Sequence, residues 1–200
     1  MRRRARINEG LVAIIFLALL FSAGCTTPKI QPLAALEGRS VAVVPFSFKE
    51  HRLGESRAGK DMSRLVVAIL RERVKDVKLV SEKPAEKLFY GKRIEDVKWE
   101  TVTFVTGCEM LLTAHIAEFR IYSPRYVNLY EGVAEVVVFL FDKDGKQVLS
   151  QRVIATYPFR EISAPISRFD MSEQEFSSAL MGRAAVLIAR LFHEYSPEEE

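Results

Sequence analysis

The sequence is poor in the residues that most often carry chemistry. It has three histidines, two cysteines and one tryptophan. His51, His115 and His193 fall in a loop, a strand-like run and a helix end. None sits in a metal-binding spacing such as His-Glu-x-x-His. They read as scattered structural or surface histidines, with His193 placed where a helix C-terminus favours positive charge. No Gly-x-Ser-x-Gly nucleophile elbow occurs. No phosphate loop occurs either, because Gly54 and Gly59 lie five apart with no Gly-Lys-Ser/Thr after them. Asp142-Lys143-Asp144-Gly145 superficially opens a calcium loop, but its twelfth position is Val153 rather than glutamate. Asp61 and Glu109 have no carboxylate partner at a readable spacing. No catalytic residue and no metal ligand can be nominated, and no enzyme is expected.

A run long enough to cross a membrane is also missing. The apolar stretch Leu11–Phe21 has eleven residues, and a spanning helix needs about 20. Arg2, Arg3, Arg4 and Arg6 precede it, and Ser22-Ala23-Gly24-Cys25 follow. A basic start, a short apolar stretch and small residues make an export signal. Phe21-Ser22-Ala23-Gly24-Cys25 resembles the lipobox of bacterial lipoproteins. The resemblance implies cleavage between Gly24 and Cys25, with a diacylglycerol on the Cys25 thiol. Ser22 stands where leucine is commonest in that group. The alternatives are a plain secretory signal with an incidental cysteine, or an uncleaved anchor. Thr26 follows the cysteine, where aspartate tends to retain lipoproteins at the inner membrane. It therefore favours the outer membrane, facing the periplasm.

An excess of one charge sign is the third absence. The chain has 29 Lys and Arg against 26 Asp and Glu. Residues 1–24 hold four of the arginines and one of the glutamates, which leaves 25 against 25. A nucleic-acid binder shows a basic stripe or domain, so no nucleic-acid partner is expected. The 176 residues from Cys25 onward suit one domain with a core. If Cys25 carries lipid, Cys108 stands alone and no internal disulfide can form. Cys108 then reads as a small buried hydrophobe.

Beyond the leader the pattern is α/β. Residues 25–39, with Pro28 and Pro32, read as a lipidated tether, and residues 40–197 as a single domain. Val41-Ala42-Val43-Val44, stopped by Pro45, reads as a strand apolar on both faces. Asp61 to Val74 has Met62, Leu65, Val66, Ile69 and Leu70 at helical spacing. Val77 to Ser81 supplies a second strand, parallel to the first across a right-handed crossover. Pro84 opens a short helix, and Ile94 to Val105 reads as a further helix on the return path. Met110 to Tyr122, Gly132 to Phe141 and Gln147 to Tyr157 read as an antiparallel meander. Gly145 supplies the tight turn between the last two, and the middle strand is expected to be covered on both sides. Ser172-Glu173-Gln174-Glu175 is a capping box for a helix running to about Tyr195. The fold class is α/β (α+β): a three-layer domain with a mixed sheet of about five strands and a long C-terminal helix.

One stretch stands out as a partner edge. Arg120, Tyr122, Arg125, Tyr126 and Tyr130 surround Pro124 near a hairpin tip, and such residues are enriched in binding hot spots. An ordinary hairpin end is the other reading.

The order of elements resembles a known group. Val41-Ala42-Val43-Val44-Pro45-Phe46, then Ala58-Gly59-Lys60-Asp61-Met62 leading a helix, then Val77-Lys78-Leu79-Val80, is similar to the start of the TolB amino-terminal domain, the curli-export lipoprotein and the penicillin-binding-protein activator lipoproteins. Gly107-Cys108-Glu109-Met110-Leu111-Leu112 stands where that group has a Gly-Ala-Asp-like step into a long strand. The segment around Ser123 to Asn128 is too short and charged for the pore-forming hairpins of the curli exporter. The short tether differs from the long spacers of the activators. The resemblance supports the fold; with the leader and the missing catalytic motifs, a periplasm-facing, membrane-anchored lipoprotein without enzymatic activity or a cofactor beyond its lipid is expected. Its expected work is scaffolding or assisting envelope assembly or transport through an envelope protein partner. A lipid- or glycan-binding accessory is the alternative, and an unrecognised hydrolase a third.

Overall fold

The computed structural model describes residues 29–123, 128–158, 166–167 and 169–197. Gly24 and Cys25, with the leader expected before them, lie outside the described residues, as do Arg125 and Tyr126. The chain divides into two compact units, of which Gln31–Glu194 holds all the helices and strands of the described residues. In the other, Ile30 and Tyr195 exchange backbone hydrogen bonds of 2.9 and 3.2 Å. No described helix is long and apolar enough to cross a membrane.

The strands are β1 (Ser40–Val43), β2 (Ser47–Phe48), β3 (Lys78–Val80), β4 (Met110–Tyr122), β5 (Leu129–Asp142), β6 (Gln147–Tyr157) and β7 (Ile166–Ser167). The helices are α1 (Arg57–Arg73), α2 (Glu86–Phe89), α3 (Trp99–Thr106) and α4 (Glu173–Ala189). Among the described residues one mixed sheet has seven strands in the order β3-β1-β4-β5-β6, with β2 beside β4 and β7 beside β5. The sequence reading has about five. The two extra strands hold two residues each, too few to print a period of two.

β1 lies parallel to β3 and β4, and β4, β5 and β6 form the expected antiparallel meander. α1 begins at Arg57, before the expected Asp61, because the Ser56 hydroxyl caps it by accepting the Gly59 N–H. Met62, Val66 and Leu70 bury its apolar stripe. The capping box of α4 forms: Glu175 N–H donates to the Ser172 hydroxyl, and Ser172 N–H to the Glu175 carboxylate. α4 stops at Ala189, short of Tyr195. The chain there tightens, with Leu191 N–H donating to Ile188 and Phe192 N–H to Ala189. The Leu191 carbonyl accepts instead from Leu33 and Ala34. Leu36 is fully buried in the core, so folded structure starts within the segment expected as tether.

The two sheet faces are covered unequally. Val41, Val43, Leu112 and Ile116 face α1 and α4 in the main core. Ala42, Val44, Leu111 and Phe141 face the other way, against Phe89, Trp99 and Val102 of α2 and α3. Those two helices are short and cover only part of the sheet. β5 shows the result: Ala134, Val136, Val138 and Leu140 are fully buried, whereas Glu135, Val137 and Phe139 are half-buried. β5 is central, as expected, but only one of its faces is fully covered.

β1 and β4 are clamped at their starts by Glu109. Its carboxylate accepts from Ser40 N–H at 2.9 Å and from the Ser40 hydroxyl at 3.1 Å. These bonds, the backbone one foremost, hold its pKa below the ordinary glutamate value. A carboxylate with a depressed folded pKa stabilises fully above its unfolded pKa, and loses that contribution as pH falls through the lowered value. Glu109→Gln should therefore melt below the wild type at pH 7, and the two melting curves should converge in acid. A gap that stays constant with pH contradicts the charged clamp.

Candidate binding cavity

The uncovered part of the second face is a cavity of about 640 Å³. Its first wall follows from Pro45. After β1 the chain bends there and returns to pair in parallel with β4, Ser47 opposite His115 and Phe48 opposite Ile116. Lys49 takes a positive φ of 49° and donates its N–H to Ile116. His51 N–H closes the turn onto the Phe48 carbonyl at 2.8 Å. Ser47, Lys49, Glu50, His51 and Arg52 thus face the cavity.

The opposite wall is the link from α2 to α3, with Arg93, Ile94, Glu95, Val97 and Trp99. Leu53 N–H donates to Lys92, Gly91 N–H to Leu53, and the Arg52 guanidinium to the Gly91 carbonyl, so the walls are stitched together. Trp99 donates its indole N–H to the Ile94 carbonyl at 3.2 Å and stacks on Phe141, centroids 4.9 Å apart. The sheet supplies His115, Val137, Phe139, Phe141 and Gln147 as the floor.

The lining is apolar below and charged above. Lys49, Glu50, Arg93 and Glu95 form no ion pair among the described residues. His115 Nδ1 lies 2.9 Å from the Ser47 hydroxyl. Ser47 is only 5 % exposed, so its oxygen is placed to orient the ring rather than to meet a ligand. Across from Phe139 on β4, Thr113 is fully buried, and its hydroxyl has no partner among the described residues. Such a group costs about 1–3 kcal/mol. No group of three or more metal-ligating side chains exists among the described residues.

The hairpin residues fare differently. Tyr130 is only 3 % exposed and stacks on Phe176 at 4.8 Å, so it is a core residue rather than part of a partner edge. The alternation of β5 puts it on the α4 side, with Gly132 and Ala134. Tyr122 is 40 % exposed, and its hydroxyl donates to the Glu173 carboxylate. Arg120 donates to Glu118 and to the Tyr122 carbonyl, at 3.1 and 3.0 Å. Of the three histidines read as scattered, His51 and His115 line one cavity. Only the two-residue β2 ladder brings them together, and that ladder leaves no periodic trace in the sequence.

No protein-family model matches the chain, and no curated protein matches it. Solved structures do. The hypothetical protein CT253 from Chlamydia trachomatis shares 15 % identity over 77 % of this chain and 96 % of its own, with a TM-score of 0.46. The PelC dodecamer from Paraburkholderia phytofirmans shares 18 % over 83 % and 96 %, at 0.49. Lipoprotein GNA1162 from Neisseria meningitidis shares 16 % over 76 % and 98 %, at 0.48. The structural neighbours thus include a bacterial lipoprotein. At these identities no property of theirs transfers to this chain, and the TolB, curli-export and activator group is not confirmed.

Proposed function

We propose that the chain is a lipid-anchored accessory protein of a bacterial envelope that works by binding rather than by catalysis. The observation that carries the binding half is the cavity. Its volume falls in the range of small-molecule sites, about 300–1,000 Å³, and its apolar floor with a few polar groups is their usual lining. The anchoring half rests on the Leu11–Cys25 leader. Thr26 favours the outer membrane, facing the periplasm. This reading takes up the lipid- or glycan-binding alternative, because Tyr130, though paired with Tyr122 in the hairpin, is buried and offers no surface to a partner. The hairpin keeps a second reading alive: Tyr122, exposed beside Arg120, supports contact with an envelope protein.

Filling the cavity tests the first reading. Val137 is half-buried on the floor, with room above it for a larger side chain. Protein purified from envelopes should carry a stoichiometric small molecule in native mass spectrometry, chemically unchanged. Val137→Trp should lose it while melting as the wild type does. A hydrolysed product whose formation depends on Ser47 or His115 would replace binding with chemistry. An empty wild-type cavity would return the weight to Tyr122 and Arg120.

A further inference from the structure

We infer that the cavity selects an amphipathic anion: an apolar ring or short chain lying on the Phe139 floor, with one carboxylate or phosphate head held at the rim by Arg93 and Lys49. The inference rests on the binding reading above and adds the ligand's chemical class. Three side chains on the lining are basic, Lys49, Arg52 and Arg93, against two carboxylates, Glu50 and Glu95. Arg52 is held by the Gly91 carbonyl. The Lys49 ammonium and the Arg93 guanidinium have no hydrogen-bonded or ion-paired partner among the described residues, and the ammonium lies 5.6 Å from the Phe48 ring centroid. They stand on opposite walls, one on the loop after β2 and one on the link from α2 to α3.

That placement suits a head group between the walls better than an internal ion pair. A charge-assisted bond to an anion is stronger where nearby apolar surface keeps water away. Here that surface is Val137, Phe139 and the Trp99–Phe141 stack. A neutral ligand would use the floor and leave the Arg93 guanidinium without a charged partner and the Lys49 ammonium with only the Phe48 ring. A cationic one would meet Arg93 and Lys49 before it reached the floor.

The single tryptophan of the chain is Trp99, on the cavity wall, so its fluorescence reports occupancy without a label. The full-length protein, held in nanodiscs of zwitterionic lipid with empty discs as the blank, is titrated with three probes of one shape. These are 1-naphthyl phosphate, naphthalenemethanol and naphthylmethylammonium; 2-naphthoate compares carboxylate with phosphate. The anions should quench Trp99 saturably and bind about tenfold or more tighter than the alcohol, the worth of one good charged contact. Arg93→Ala and Lys49→Ala should each remove about a factor of ten for the anions and leave the alcohol unchanged. Arg93 is exposed, so this variant tests binding without threatening the fold.

Equal binding of anion and alcohol overturns the anionic class while the binding reading survives. So does preference for the ammonium. No binding of any probe, with Val137→Trp indistinguishable from the wild type, overturns both. Doping the discs with phosphatidic acid separates two sources of the same chemistry. Competition with the probe identifies a bilayer lipid, and its absence a free solute; the anionic class stands in either case.

Discussion

Gly59→Ala is expected to destabilise the protein by more than about 3 kcal/mol, beyond the ordinary range of overpacking. Alanine normally improves an exposed helical glycine by about 1 kcal/mol. At Gly59 the sign inverts. The residue sits in the first turn of α1, where the helix crosses the link between β1 and β2. A Cβ there would lie 2.0 Å from the Phe46 carbonyl oxygen and 3.0 Å from its carbon. Both atoms are backbone, so no rotamer change relieves the clash. Phe46 is itself fully buried, and the segment after it carries Ser47 into the cavity wall. Strain at Gly59 therefore acts on the core and on the site together. Gly182→Ala is the internal comparison. In α4 the added Cβ meets nothing within 4 Å, so this variant should gain about 1 kcal/mol. Denaturant midpoints of the two variants should move in opposite directions. If Gly59→Ala melts with the wild type, the close crossing of α1 over Phe46 is wrong.

Gly59 also shows what the sequence discloses and what it hides. Ala58-Gly59-Lys60-Asp61 is visible as the lead into a helix, and the stripe Met62, Val66, Leu70 is visible as its buried face. The reason for the glycine is a contact with residue 46 across a loop, and no local pattern encodes that. The same division runs through the fold. α1 is legible because its apolar side chains repeat at helical spacing, β1 because its apolar run stops at Pro45, and the three long antiparallel strands because each is a long run rich in apolar residues. Gly145, with φ of 74°, is legible because the Asp142–Gly145 turn needs a left-handed residue. The burial of Tyr130 is not legible because the turn residues before it mask the start of β5 at Leu129. The alternation that buries Tyr130 with Gly132 and Ala134 begins three residues before the apolar run from Gly132. The cavity was illegible for a different reason. Its walls are loops joined by backbone bonds between residues about 40 apart, such as Leu53 with Lys92. Its histidines meet only through the short β2 ladder, and its opening exists because α2 and α3 are too short to cover β5.

Cys25→Ser is expected to abolish acylation entirely. Eleven apolar residues fall short of the about 20 that span a bilayer, so the proposed anchor rests on acyl chains. Each buried methylene contributes about 0.8 kcal/mol, one chain binds marginally and two hold firmly. Only two thiols exist to carry a diacylglycerol, Cys25 and Cys108. Cys108 is 4 % exposed inside the second core and accepts a hydrogen bond from the Thr106 hydroxyl at 3.1 Å. It is therefore sealed from an acylating enzyme in the folded protein. Cells fed labelled palmitate should yield a labelled wild-type protein whose first residue is Cys25, as read by the mass of its N-terminal peptide. Cys108→Ser should keep the label and Cys25→Ser should lose it. The location of the protein alone is a weaker readout, because an uncleaved leader also holds a chain at a membrane. The label and the N-terminal mass separate the three readings of the leader. A lipidated Cys25 gives both. A plain secretory signal gives cleavage without label, and an uncleaved anchor gives the full-length mass without label. Either of the last two results removes the lipid from the proposed function and leaves the cavity untouched, since every residue lining it lies between Ser47 and Gln147.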